Sequence, residues 1–482
     1  MKGIFVFRRD LRWQDNIGLY EACEKCDKVI CLFILTPTQI KKDINKYFSY
    51  NAFAFMLESL IELKHDIELL IEYGEPELII KKIMNKYKID LLFMNKDYTP
   101  YAIERDKKII NELEYDRINN IIGHDEEKKD NAKNIHNNNK DNKTNNKINL
   151  YCDIVLNDPS TIKPYKVYTP YYNVVKDIKI HNEVKPNIKK IININTLNKE
   201  NNINEKYKSV SIDKLLAKIH KHTSKYRQIG GRKNGEILLK NLPFTQKKYL
   251  DTRNILTLET SRLSPYIKFG VIGIREVYRS FNNEGFRKEL YWRDFYIQIS
   301  YYFPNVLIDK SKIPLKCAKY NIDKNFKQEK IQWEYDKKLY DAWCNGKTGI
   351  PVVDAAMRQL INTGYMHNRC RMIVASVFTK LFHLDWRLGE QFFAKYLTDY
   401  DPSSNNGGWQ WASGTGADAQ PYFRIFNPYI QAKKYDPECL YIKKWCPELS
   451  NLSPKEIFKL RSDIFDYELE RKKSIEYFRN AE

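Results

Sequence analysis

The chain has 482 residues, 43% of them apolar, enough for large cores in roughly two to four domains, so a wholly disordered chain is excluded. Its formal net charge of +20 favours a polyanionic partner, nucleic acid or an anionic surface, although an Asn- and Lys-biased composition yields such a charge with no binding meaning.

In chain order, Gly3 to Phe7, Val29 to Leu35, Ile67 to Tyr73 and Leu91 to Met94 are mostly apolar and of strand length. Helical patterns at 17–25, 46–63, 75–87 and 101–115 alternate with them. Such alternation predicts a parallel sheet covered by helices. The first apolar run meets Arg8-Arg-Asp at once, too short for a signal or membrane-spanning segment. Arg8 to Arg12 reads either as a solvated charge run or as a ligand or interdomain contact at the end of the first strand. Nine cysteines include one close pair, Cys23 and Cys26, with no second pair to complete a zinc site. Reduced thiols in an intracellular protein, cytoplasmic or nuclear, are the expectation.

Asp125 to Leu150 holds nine Asn and six Lys in 26 residues and is expected to be disordered. Leu150 to Leu156 is a candidate fifth strand, and Tyr165 to Tyr172 closes a first domain over 1–180. Residues 181–210 read as a linker. From 211 to 482 the pattern is helical, with segments at 211–222, 235–240, 271–282, 286–303, 352–363, 366–383 and 386–398. The predicted fold class is therefore an α/β domain with a five-stranded, doubly wound parallel sheet, followed by an all-α domain. Gly346-Lys-Thr is not a phosphate loop, because Asp341 stands where that motif requires Gly and no strand precedes it.

The most chemically loaded stretch is Asp399-Tyr-Asp-Pro-Ser-Ser-Asn405-Asn-Gly-Gly-Trp409-Gln-Trp411. If helical, it puts Asn405 and Trp409 on one face and Trp411 about 200° round from Trp409. A Trp-rich packing turn is the alternative. Thr260 to Ser264 offers three hydroxyls and a cation beside a helix start at Pro265, either a pyrophosphate cradle or a plain helix cap. Glu289, Trp292 and Arg293 share a helix face, as do Asn368 and Met372, with ordinary core as the other reading of Trp292 and Met372.

These blocks, with Phe7-Arg-Arg-Asp-Leu-Arg12, Gly346 to Pro351 and Met366 to Met372, resemble the photolyase/cryptochrome family in order over nearly the whole chain, closest to class I cyclobutane pyrimidine dimer photolyases. The resemblance implies light-driven repair of such dimers in DNA by electron transfer from excited FADH⁻ to the flipped-out lesion. A deoxyribodipyrimidine photolyase acting as a monomer, with no metal and no membrane, is expected. A cryptochrome-type photoreceptor signalling through protein partners is the alternative. By the same resemblance FAD is held by Tyr249, Thr260, Ser261, Arg262, Leu263, Ser264, Arg293, Asn368, Arg371, Asp399, Asp401 and Asn405, with Arg371 and Asp399 ion-paired.

Asn405 is placed near flavin N5, where a neutral amide suits the reduced anion better than a carboxylate, which repels it by a few kcal/mol at short range. Plant cryptochromes resemble an Asp there and animal ones a Cys. The implied catalytic residues are Glu289, Asn368, Met372 and Asn405, and the implied electron-transfer chain is Trp333, Trp386 and Trp409. The lesion would meet Glu289, Trp292, Asn368, Met372 and Trp411, and phosphates would meet Arg253, Arg369 and Arg424. A half-buried Glu289 tends to an elevated pKa, so it could donate a hydrogen bond to a base carbonyl. For a second, antenna chromophore a deazaflavin, FMN or an empty site all stay open, its identity unknown. Tyr101 and Ala102 stand where folate-type members carry Asn and Glu, which puts methenyltetrahydrofolate in doubt. Phe286 replaces a Trp of some relatives.

Overall fold

The computed structural model describes residues 1–122, 147–201, 207–307, 331, 333–419, 421 and 423–480. Most of the Asn/Lys-rich insert, 123–146, lies outside the described residues. The chain divides into two compact units.

The first unit comprises Met1–Ile40, Leu63–Ile154 and Asn182–Ser211. Its strands β1 (Lys2–Phe7), β2 (Lys28–Leu35), β3 (Leu69–Tyr73), β4 (Leu91–Asn95) and β5 (Ile148–Tyr151) form a parallel sheet in the order β3-β2-β1-β4-β5. Ile4 stands opposite Ile30 on one side and Leu92 on the other, and Phe33 opposite Ile71. The central strands are apolar on both faces because helices cover both, as in any sheet built from crossover connections. The chain winds outward from β1 to β3 and then reverses to β4 and β5.

At that reversal Arg8 donates to the Asp106 carboxylate and to the Asn95 carbonyl oxygen. Asp10 and Arg12, each 1% exposed, are buried, and Arg12 pairs with Asp153 at 2.9 Å. Arg8 to Arg12 is thus no solvated charge run: Asp106 on the helix Pro100–Ile122 and Asp153 just past β5 supply its counter-charges. Cys23 and Cys26 are buried free thiols, and burial pushes the Cys23 thiol up to about 11.

Two expectations are corrected here. The fifth strand is Ile148–Tyr151 rather than 150–156, and it reaches back into the polar tract expected to be disordered, pairing Ile148 with Leu92 and Leu150 with Met94. The expected linker, 181–210, belongs to the sheet unit: its helix Ile194–Glu200 buries Ile194 and Leu197 in the core, and Ile191 bridges to Val29. Asn-rich composition conceals a few well-spaced apolar anchors.

The second unit comprises Lys41–Glu62, Val155–His181 and Ile212–Glu482. Two early segments therefore group with the helical unit instead of with a domain ending at residue 180. Arg227 makes a two-pronged contact with Glu58 at 2.5 and 2.9 Å, and Asp294 accepts from the Leu156 amide at 2.7 Å.

The predicted helices appear as Ile212–Ile219, Arg232–Thr245, Ile274–Ser280, Glu284–Tyr302, Pro351–Thr363 and Trp386–Tyr396. The 366–383 segment is the exception. It is an α-helix over Asn368–Ser376 and then a π turn over Val377–Leu381, in which the Phe382 amide donates to the Val377 carbonyl. The Gly346-Lys-Thr turn joins the helices Lys337–Cys344 and Pro351–Thr363, and its Thr348 and Gly349 amides point at Asp354, at 2.7 and 3.0 Å. A carboxylate occupies the place a phosphate would need.

Candidate flavin and lesion site

The loaded stretch is a helix, Pro402–Ser413. Asp401 caps it, accepting from the Ser404 amide at 3.1 Å, with Pro402 in the first turn where its missing N–H costs nothing. Helical geometry then sends the two indoles apart, as their spacing requires. Trp409, 2% exposed, is buried edge-on against Phe378, Phe393 and Trp343. Trp411 is half-buried and lines a small hollow with Met372, Ser376, Ala412, Arg424 and Phe426. Two residues expected at the lesion, Met372 and Trp411, are thereby brought together with Arg424, expected on a phosphate.

Asn405 lies on the same helix, and its side-chain Nδ2 is buried with no hydrogen-bond partner among the described residues. An unsatisfied buried donor is costly, on the order of 1–3 kcal/mol, and calls for a ligand acceptor. Next to it Asn406 donates to Glu390 at 3.3 Å and accepts from Gln410 at 2.5 Å. Burial pushes the Glu390 carboxyl up to about 8.

Arg371 meets Asp399 at 2.9 and 3.2 Å, the ion pair expected beside the flavin. Its helix, Asn368–Ser376, is capped by His367, whose Nδ1 accepts from the Arg369 amide at 3.1 Å. That role needs a neutral ring, and burial beside Arg371 and Arg369 lowers the His367 pKa to about 4. Asn368 is exposed at the first position of the helix, and Met372 follows one turn on.

In the hydroxyl cradle, Thr260 Oγ1 and the Tyr365 hydroxyl are 2.7 Å apart, and the Arg262 guanidinium lies 3.8 Å from the centre of the Tyr365 ring. Arg262 adopts φ of +54°, a strained left-handed conformation that turns the chain between Ser261 and Leu263. The helix after it, Ser264–Lys268, has five residues. A cavity of about 260 Å³ lies against Thr260, Arg262, Gln359, Tyr365, His367 and Trp445. Tyr249 stacks edge-on to Phe286 at 5.3 Å, so the Trp-to-Phe replacement keeps an aromatic contact.

On the helix Glu284–Tyr302, Glu289 pairs with Arg253 at 2.5 Å, both residues about a third exposed. Burial raises the Glu289 pKa, and Arg253 partly offsets the rise. Arg253, expected on a phosphate, is therefore engaged by a carboxylate. Trp292 is stacked flat on Tyr168 at 3.7 Å, which fixes its plane. Arg293 lies 3.5 Å from Asp294, whose carboxyl burial raises to about 7. Arg369 is held at 2.7 and 3.1 Å by Asn254.

Trp386 and Trp409 lie in one apolar cluster, with Trp333 at its margin packed on Phe478. The indole directly beside Trp409 is Trp343, at 6.0 Å, which sequence spacing did not single out. Tyr365, Tyr168 and Trp343 were missed because each acts through a partner distant in sequence. The only local signal was the position of Tyr365 beside Met366-His-Asn.

Comparison with known proteins places the chain in a family. The family described as DNA photolyase matches residues 4–127, and the FAD binding domain of DNA photolyase matches residues 286–477. A deoxyribodipyrimidine photo-lyase of Alkalihalophilus pseudofirmus is 32% identical, over 98% of this chain and 97% of its own. One from a Synechococcus strain is 31% identical, over 94% and 89%. Among solved structures, an archaeal photolyase from Sulfolobus tokodaii, crystallised with two FAD molecules, superposes with a TM-score of 0.80 at 33% identity over the full length of both chains. A Synechocystis cryptochrome, 22% identical with a TM-score of 0.79 over 99% of each chain, shares the fold. The α/β unit, the helical unit with its capped Asn405 helix, and these matches along nearly the whole length make this chain a member of the DNA photolyase family.

Proposed function

We propose that the protein repairs cyclobutane pyrimidine dimers in DNA, using light and a reduced FAD. The observation that carries the reading is the Pro402–Ser413 helix. It offers an unpartnered amide, Asn405, and contributes Trp411 to a hollow shared with Met372 and Arg424. The donor set fits FAD: hydroxyls and a guanidinium at 260–264 for the diphosphate, the Arg371–Asp399 pair, and Asn405 Nδ2 in need of an acceptor. Bound there in reduced form, FAD would supply light-driven one-electron chemistry towards the dimer.

The chain's own residues bind, orient and tune. Trp292, locked against Tyr168, and Trp411 supply flat apolar surfaces for a flipped lesion. Asn368 presents its amide at a helix start, with the Met372 thioether on the same face. While Arg253 is paired with it, Glu289 is held towards its ionised form. A DNA phosphate competing for Arg253 would release that restraint, leaving a desolvated carboxyl that favours its protonated form and donates to a base carbonyl. Arg369 and Arg424 add phosphate contacts, and Trp409, Trp386 and Trp333 form the route by which the flavin is reduced.

Tyr101 binds Thr38 through its hydroxyl at 2.9 Å, and Ala102 is buried with no polar side-chain atom. That argues against a folate antenna and leaves a deazaflavin, FMN or an empty site in the α/β unit. The protein acts as an intracellular monomer. Among the described residues no helix is long and apolar enough to cross a membrane.

The test is illumination of the purified protein with dimer-containing duplex DNA, following loss of the lesion. Bound flavin without repair points to a light sensor instead, and no flavin ends the reading. Glu289→Ala is expected to keep the flavin spectrum and lower the repair yield per photon. An unchanged yield removes its proposed role.

A further inference from the structure

Lys380 is fully buried, 0% exposed, in the π turn Val377–Leu381. A buried ammonium is costly unless its donors are used. Its Nζ points at the carbonyl oxygens of Pro421 and Arg424, each 3.4 Å away, and lies 5.7 Å from the centre of the Phe478 ring. One turn earlier, Ser376 Oγ accepts from the Phe426 amide at 3.3 Å. Two side chains of one segment thus hold Pro421 and residues 423–426 from beneath. From above, those residues present Arg424 and Phe423, the latter 61% exposed, while Arg424 and Phe426 line the hollow with Met372 and Trp411. The π turn adds one residue to the helix and so redirects the side chains that follow it, a feature frequent at functional sites.

We propose that Lys380 is a positioning residue that orders residues 423–426 on the DNA-facing side of the helical unit, so that Arg424 and Phe423 are set before DNA arrives. This rests on the repair reading for its consequence, but the ordering itself does not. Desolvation lowers the Lys380 pKa to about 8. The ammonium grip is therefore largely in place at pH 7 and weakens as pH rises through 8. Other charged groups packed around the turn have their own partners. On the helix Tyr467–Asn480, Glu470 is shared by His383 and Lys473. On Trp386–Tyr396, Glu390 faces Asn406, and on Asn368–Ser376, Arg369 and Arg371 face Asn254 and Asp399. Glu390 also titrates near 8, so the wild-type pH profile is read against a Lys380 variant that retains it.

The experiment uses the full chain with flavin bound and compares wild type with Lys380→Met and Lys380→Arg. Three quantities are read at pH 7 and 9: chymotryptic cleavage after Phe423, normalised to an unstructured reference peptide; affinity for dimer-containing duplex; and thermal midpoint. Replacing a buried charge by an apolar side chain of similar length leaves the midpoint unchanged or raises it. Lys380→Met is expected to be cleaved several-fold faster after Phe423. It should bind the damaged duplex about tenfold more weakly, the equivalent of one charge-assisted hydrogen bond, with little pH dependence in either readout. Wild type should approach these values at pH 9, and Lys380→Arg should stay near wild type at both.

Equal cleavage of wild type at pH 7 and 9 overturns the proposal, and this needs no variant to fold. So does a Lys380→Met protein that keeps wild-type cleavage and affinity, or one whose only change is a lower midpoint. If wild type itself does not distinguish damaged from undamaged duplex, the repair reading fails while the cleavage comparison still decides the role of Lys380.

Discussion

Glu390 shows how burial alone sets the behaviour of one group. It is 3% exposed, and its carboxyl stays protonated up to about pH 8 in the folded protein, against the usual 4.5. Below pH 4.5 folded and unfolded chains are both protonated at this position, so it costs nothing. Between 4.5 and 8 the unfolded chain ionises first, and stability falls steadily with rising pH. Glu390→Gln, which keeps a hydrogen-bonding partner for Asn406, should therefore match wild type in urea unfolding near pH 5 and exceed it by about 2–4 kcal/mol near pH 8. A constant difference across that range would show that Glu390 is not held protonated. The shared face of Asn405 and Trp409 and the opposite direction of Trp411 were legible from spacing, because all three lie within one helix. The Glu390–Asn406 contact was not, since its partners sit on different helices and neither belongs to a local pattern.

At the scale of elements, the helices Trp386–Tyr396 and Pro402–Ser413 approach closely because Gly389 has no side chain. A Cβ there would lie 2.2 Å from the Trp409 ring, which is itself wedged among Phe378, Phe393 and Trp343. Gly389→Ala forces the indole or a helix to move, and overpacking of this kind costs about 1–3 kcal/mol. Its thermal midpoint should drop while the far-ultraviolet helix signal at low temperature is retained; a midpoint equal to wild type would mean the helices already have slack. Helix existence followed from apolar periodicity, and most predicted segments appear within a few residues of their expected bounds. The π turn at Val377–Leu381 was invisible, since its sequence continues the preceding helical pattern without a Gly, a Pro or any other local break. Its Lys380, and Ser376 just before it, bond to a stretch distant in sequence, which no local pattern records.

For the whole molecule the excess of cations matters through DNA. On the proposed repair reading, a net charge of +20 with Arg253, Arg369 and Arg424 as proposed phosphate contacts makes DNA binding release counterions, so log affinity should fall linearly with log salt. Each phosphate contact contributes a slope of about −0.9 on duplex DNA, so Arg424→Gln should flatten the slope by about 1 and weaken damaged and undamaged duplex alike. A variant that loses preference for the lesion with its slope intact would instead place Arg424 on the bases.

The sequence by itself determined the alternation that builds a parallel sheet, the helical character of the second half and the order of the motif blocks. It also fixed the divergent directions of Trp409 and Trp411. These follow from local side-chain periodicity, which a chain carries at every point. Only the tertiary structure decided the strand order around β1, the capture of residues 182–211 by the sheet unit, the pairing of Arg253 with Glu289 and of Thr260 with Tyr365, and the burial of Lys380. Each joins residues far apart in the chain, and no periodicity records which distant partner will satisfy a buried charge.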